Sequence, residues 1–270
     1  MAVRLEAFGA RVDLTGDSGA VDEIVACLGS FLAVTRDAAG APAASVAVSD
    51  PSGDSAGTVH RDGELVAEEA DRTELVRRAL SEVHLAVAVH ATDAVFIHAG
   101  VVSWRGAGIA IPGRSMTGKT TLVTELVRAG ASYMSDEYAV VDTEGFVHPY
   151  PKLLSVRGPG GTQRVDPQTV GAVETGRVPL AVVLDTTFVS GSVWSPEAIA
   201  GARVVLPLID NAVVAQLEPM RVLDVTTVVA RKGAVVLSGE RGEAHAAAEG
   251  VLERLELLAD RTTPDSDGVS

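Results

Sequence analysis

Gly113-Arg114-Ser115-Met116-Thr117-Gly118-Lys119-Thr120-Thr121 matches the phosphate-loop pattern G-x-x-x-x-G-K-[ST] at every required position. Gly113 and Gly118 let the backbone curl so that the N–H groups of Arg114, Ser115, Met116 and Thr117 point inward at phosphate oxygens. Lys119 brings a point charge to the β- and γ-phosphates. Thr120 offers a hydroxyl to a magnesium ion, and Thr121 completes the cradle. The flanks agree with the motif. An apolar run, Gly108-Ile109-Ala110-Ile111-Pro112, reads as a buried strand. Residues 120–129 read as a helix with Leu122, Val123, Leu126 and Val127 on one face, stopped by Gly130. A strand, a glycine loop and a helix in that order put the positive end of the helix dipole at the anion site.

Composition narrows the rest. Aromatic residues are only 4% against 47% hydrophobic, so the core is built from Val, Leu, Ala and Ile, a mix suited to α/β layers. A net charge of −14 argues against a nucleic-acid partner and against an acidic membrane surface, both of which need a basic face. Cys27 is the only cysteine, so no disulfide or thiolate zinc site forms within one chain, which suits a reducing, cytoplasmic setting. It falls in an apolar helical pattern and is expected to be a buried, inert thiol. No basic segment followed by an apolar run opens the chain, so no signal peptide is expected. No window approaches the roughly eighteen apolar residues of a membrane span.

Residues 1–90 read as a small N-terminal α/β region without a chemical constellation. Val21, Ile24, Val25 and Leu28 make a helical stripe, and Asp62-Gly63 is a hairpin turn. A long helix over 71–90 opens on Asp71 with Glu74, and its His84 and His90 are expected to be packed or at the surface. Residues 91–260 form the candidate catalytic domain, and 261–270 a disordered tail. Within that domain a hairpin turning at Arg105-Gly106 feeds the loop, and strands are expected at 131–134, 138–141, 180–184, 222–229 and 234–237. Residues 162–178 read as irregular, 196–217 as helical in places, and 242–258 as a closing amphipathic helix.

A loop that binds phosphate needs further groups to do chemistry: a base, a metal ligand and positive charge. Asp136 and Glu137 follow the strand after the loop's helix, where they face the same crevice or stand as two turn carboxylates in solvent. Read alone, His98 is compatible with a structural histidine, and Arg157 with a surface arginine in a Gly-rich loop.

Several stretches in register resemble the catalytic domain of HPr kinase/phosphorylase, and more closely its stand-alone relatives. They are His98-Ala99-Gly100-Val101-Val102, the glycine loop, Ser135-Asp136-Glu137-Tyr138, His148-Pro149-Tyr150-Pro151 and Ser155-Val156-Arg157-Gly158. The spacings from His98 to Lys119 and from Lys119 to the acidic pair match that family. The resemblance implies a phosphate-loop core of the phosphoenolpyruvate carboxykinase/HPr kinase type, with a mixed sheet and flanking helices. It implies Asp136 as the base that deprotonates a serine hydroxyl, His98 hydrogen-bonded to that carboxylate, Glu137 with Thr120 at magnesium, and Arg157 on the acceptor or transferred phosphate. Met116 replaces the family's usual glycine, Glu137 its second aspartate, and Ser155 an acidic residue.

The expectation is therefore an ATP- and magnesium-dependent kinase acting on a hydroxyl, first of all a serine of a peptide or small protein. A small-molecule hydroxyl kinase and a nucleotide-binding regulatory or scaffold protein are the alternatives. The sequence leaves open whether the chain forms a homo-oligomer.

Overall fold

A computed structural model describes residues 1–28, 32–36, 40–113, 118–158 and 161–262, with only the backbone for 155–158, 161–164 and 257–262. Arg114, Ser115, Met116 and Thr117, and the segment 263–270 that holds most of the expected tail, lie outside the described residues. The chain is a mixed α/β protein with two mixed sheets and flanking helices. It divides into two compact units, 1–96 with 212–222, and 97–211 with 223–270.

The first unit contains β1 (Ala2–Ala7), β2 (Ala10–Gly16), α1 (Ser18–Cys27), β3 (Ala33–Thr35), β4 (Ala44–Ser49), β5 (Gly57–Arg61), β6 (Glu64–Glu69) and α2 (Arg72–His90). The strand order is β3-β1-β2-β4-β5-β6, with β2 and β4 parallel. Leu5, Val12, Leu14 and Val46 alternate inward under α2, as a sheet with one covered face requires. Asp71 caps α2 by accepting from Glu74 N–H at 2.9 Å. His84 is buried. Cys27 is exposed, against expectation: it is the last residue of α1, so no following turn extends the covered face past Ile24.

The second sheet uses β7 (Ala94–Trp104), β8 (Ala107–Pro112), β9 (Ser132–Ser135), β10 (Tyr138–Asp142), β11 (Phe146–His148), β14 (Val178–Phe188), β15 (Glu197–Ala200) and β16 (Val235–Arg241). Between β11 and β14 runs a separate hairpin of β12 (Leu154–Gly158) and β13 (Gly161–Val165), where irregular chain is expected from residue 162 on. The order is β11-β10-β7-β8-β14-β16-β15, with β9 also paired to β7. Strands β8, β14 and β16 are mutually parallel, and β7 is antiparallel to both β8 and β9. The helices are α3 (Lys119–Arg128), α4 (Val205–Asp210), α5 (Pro219–Arg231) and α6 (Ala244–Thr262). Ile109, Leu122, Leu126, Tyr133, Leu184 and Val251 share one buried cluster that fixes α3 and α6 to the sheet.

Residues 222–229 form part of α5, not the expected strand: Val222, Val225, Thr226 and Val229 are buried at helical spacing. Within 196–217, expected to be helical in places, α4 is helix while residues 197–200 pair as β15. Among the described residues no helix is long and apolar enough to cross a membrane.

Candidate functional site

Register assembles the site. Because β8 and β9 are both antiparallel to β7, they run in the same sense and end at the same place. Ala99 lies opposite Pro112, and Val101 opposite Ser135. Gly113 N–H then donates to His98 O at 3.1 Å, and Ala99 N–H to Glu137 O at 3.1 Å. His98, the start of the glycine loop and the acidic pair are thus tied together through the backbone.

Gly118 adopts φ +81°, the left-handed region, immediately before α3 begins at Lys119. The N–H groups of that first turn have no carbonyl partner within the helix, the usual basis of anion binding there. Lys119 is half-buried. Burial lowers its pKa, while the charges of Asp136 and Glu137 oppose that shift. Thr120 Oγ1 donates to Asp136 Oδ2 at 3.4 Å, and Thr124 Oγ1 anchors the turn by donating to Thr120 O at 2.7 Å.

The β9–β10 turn is set by Ser135, whose buried hydroxyl accepts from Glu137 N–H at 3.3 Å and Tyr138 N–H at 3.1 Å. Tyr133, fully buried, faces Asp136 Oδ1 at 3.3 Å and Lys152 O at 3.1 Å. Burial first, and the Asp136 charge second, hold its pKa well above 10, so its hydroxyl keeps its proton and remains a donor. Glu137 forms an ion pair with Lys152.

His98 does not make the hydrogen bond to Asp136 that the resemblance implies. Its ring lies against Tyr138, centroids 5.1 Å apart, and Asp136 is held by Tyr133 and Thr120 instead. Burial lowers the His98 pKa from its ordinary 6.5, with Glu137 opposing and Lys119 reinforcing the shift. The neutral imidazole is therefore favoured.

The structure brings together Gly113, Gly118, Lys119, Thr120, Asp136, Glu137 and His98. The Arg157 side chain lies outside the described residues. Tyr133 and Lys152 are additional residues that sequence reading did not single out. Tyr133 stands at i−3 from Asp136, but a tyrosine in a strand carries no signal of its own. Arg241 is another: it is buried, and a Cβ at Gly118 would come within 2.8 Å of its Nη2.

The donor set fits a nucleotide phosphate chain and a hard cation. The left-handed glycine and helix N-terminus suit phosphate, and the Thr120 hydroxyl beside the Asp136 carboxylate suits magnesium, which takes few protein ligands. Among the described residues no group of three or more His, Cys, Asp and Glu could hold a metal by itself.

No family model matches the chain. No curated protein matches it in sequence. Among solved structures it is similar to the Hpr(Ser) kinase/phosphatase from Coxiella burnetii, with a TM-score of 0.36 and 13% identity, covering 61% of this chain and 98% of that one. A likeness of that size carries no argument, and the functional reading rests on this chain's own residues.

Proposed function

We propose that the protein is an ATP- and magnesium-dependent kinase that transfers the γ-phosphate to a hydroxyl, first of all a serine of a peptide or small protein. The observation that carries this reading is the approach of Asp136 to Thr120 at the N-terminus of a glycine-preceded helix, with Lys119 beside them. The antiparallel β7–β8 hairpin that feeds the loop supports a core of the phosphoenolpyruvate carboxykinase/HPr kinase type over a doubly wound parallel sheet. The serine preference comes from the motifs in register and not from a mapped acceptor site.

Bound magnesium–ATP supplies the phosphoryl group and part of the charge neutralisation. Lys119 and the helix N-terminus hold the negative charge of the phosphates. Thr120 and Glu137 are the protein ligands for the cation. Asp136 accepts the proton of the incoming hydroxyl at a carboxylate oxygen, and Tyr133 fixes that carboxylate's orientation. Lys152 neutralises Glu137. His98, kept neutral, packs against Tyr138 behind the acidic pair.

The test uses purified protein with γ-labelled ATP, magnesium and a serine-containing peptide library, alongside calorimetric titration with a non-hydrolysable ATP analogue. Lys119→Ala is expected to lose both binding and transfer. Asp136→Asn is expected to bind normally and to lose about 10²-fold or more in transfer. Transfer at the wild-type rate by Asp136→Asn would remove the base assignment. Analogue binding without transfer to any hydroxyl, water included, would replace the kinase with a nucleotide-binding regulator.

A further inference from the structure

The parallel strands β8, β14 and β16 end on one edge of the sheet. The glycine loop follows β8 on that edge. Asp136 flanks it on the β7 side. On the other side, over the ends of β14 and β16, lies a groove of about 490 Å³ lined by Gly118, Thr121, Thr187, Phe188, Arg241 and Glu243, among others. Consecutive helix residues therefore serve the two sides: Thr120 turns to Asp136, and Thr121 to the groove.

Gly118 and Thr121 belong to the cradle; the rest of this lining has no role in the transfer above, yet its chemistry is specific. Phe188 is 51% exposed, unusual for a phenylalanine in a chain with only five. The Arg241 guanidinium lies 5.6 Å from the centroid of its ring. Arg241 itself is buried between that ring and Gly118 of the loop. A half-exposed aromatic ring, a cation reaching back to the phosphate cradle, and the Glu243 carboxylate with the Thr187 hydroxyl line this one groove. The volume lies in the range of small-ligand sites.

We propose that this groove is the nucleoside subsite of the nucleoside triphosphate. The base stacks on Phe188, Glu243 and Thr187 accept and donate to the ribose hydroxyls, and Arg241 contacts the phosphate nearest the ribose. The phosphate chain then crosses the loop, and its terminal phosphate emerges beside Asp136. The assignment rests on the phosphate-cradle reading above and adds to it the direction in which the nucleotide lies.

Two probes separate the two ideas: the non-hydrolysable ATP analogue and inorganic tripolyphosphate, each titrated with magnesium into wild type, Phe188→Leu, Phe188→Trp and Lys119→Ala. Phe188→Leu keeps an apolar side chain beside Arg241 but removes the ring. It is expected to weaken the ATP analogue about tenfold and leave tripolyphosphate unchanged, because base–aromatic stacking contributes roughly 1–3 kcal/mol per base. Phe188→Trp is expected to restore analogue binding. If Phe188→Leu weakens both probes equally, or neither, while tripolyphosphate binding still depends on Lys119, the groove assignment is overturned and the cradle stands. If neither probe binds wild type, cradle and groove fall together.

Discussion

Gly100→Ala tests whether strand packing sets the position of the loop's helix. Gly100 sits in β7, facing Val123 of α3. A Cβ built there lies 2.5 Å from Val123 Cγ2, 3.8 Å from Lys119 Cβ and 3.9 Å from Ile111 Cδ1. Carbon atoms prefer roughly 3.5–4.0 Å, so the overlap with Val123 is about 1 Å. Strand β7 cannot yield, because it is paired to β8 on one edge and β9 on the other. Val123 is fully buried on α3, so the helix has to move and carry Lys119 with it. Overpacking of this kind costs about 1–3 kcal/mol. The alanine also stiffens the unfolded chain, which returns about 0.4–1 kcal/mol. The net expectation is a destabilisation of roughly 1–2 kcal/mol, or about 3–6 °C in melting temperature for a unit of this size. A shift of about 1 Å at Lys119 is also expected to cost up to 10²-fold in transfer. The assay is thermal unfolding and transfer for Gly100→Ala, Val123→Ala and the double variant. Removing the Val123 methyls makes room, so the double variant should be more stable than the two separate losses imply, by about 1 kcal/mol or more. Costs that simply add, within roughly 0.5 kcal/mol, would refute the contact as the cause.

Tyr133→Phe removes the donor facing Asp136 and the Lys152 carbonyl; it is expected to cost about 1–2 kcal/mol of stability, and to lower kcat about tenfold while analogue binding by calorimetry is unchanged. Because the folded-state pKa of His98 lies below its ordinary 6.5, the unfolded chain binds the extra proton first on acidification, so this contribution to stability is present above 6.5 and is lost as pH falls from there toward the folded value. Melting temperatures measured from pH 8 to 5 should fall more for wild type than for His98→Gln; parallel curves would mean that His98 is not held neutral.

The sequence was legible where one residue type has one structural use. Asp62-Gly63 and Arg105-Gly106 both turn hairpins with positive φ at each position. Phe8-Gly9 turns β1 into β2 the same way, φ 50° and 79°, but phenylalanine is no turn residue and the hairpin leaves no mark in the sequence. Helix α5 was misread because Val-Leu-Asp-Val-Thr-Thr-Val-Val, residues 222–229, is rich in β-branched residues; packing of Val222, Val225, Thr226 and Val229 overrides that local preference. In the candidate site, Lys119, Thr120 and Asp136 were legible from motif and spacing. Tyr133, Lys152 and Arg241 were not, since each is brought to the site by a neighbour that only the folded sheet supplies.

The position of the acidic pair follows from the path of the chain through the sheet. Strands that run in the same sense reach one edge only through crossovers. Strand β9 runs in the same sense as β8, with β7 antiparallel to both, so α3 is the crossover that returns the chain to the loop edge. The Ser135 hydroxyl then locks the turn, placing Asp136 against Thr120 and Glu137 against Lys152. The parallel strands β14 and β16 lie on the other side of β8 and leave their ends open around Phe188 and Arg241. The acidic pair thus stands at one flank of the loop, and the groove around Phe188 and Arg241 at the other. The proposed phosphate chain would in this way meet a different chemical environment at each end.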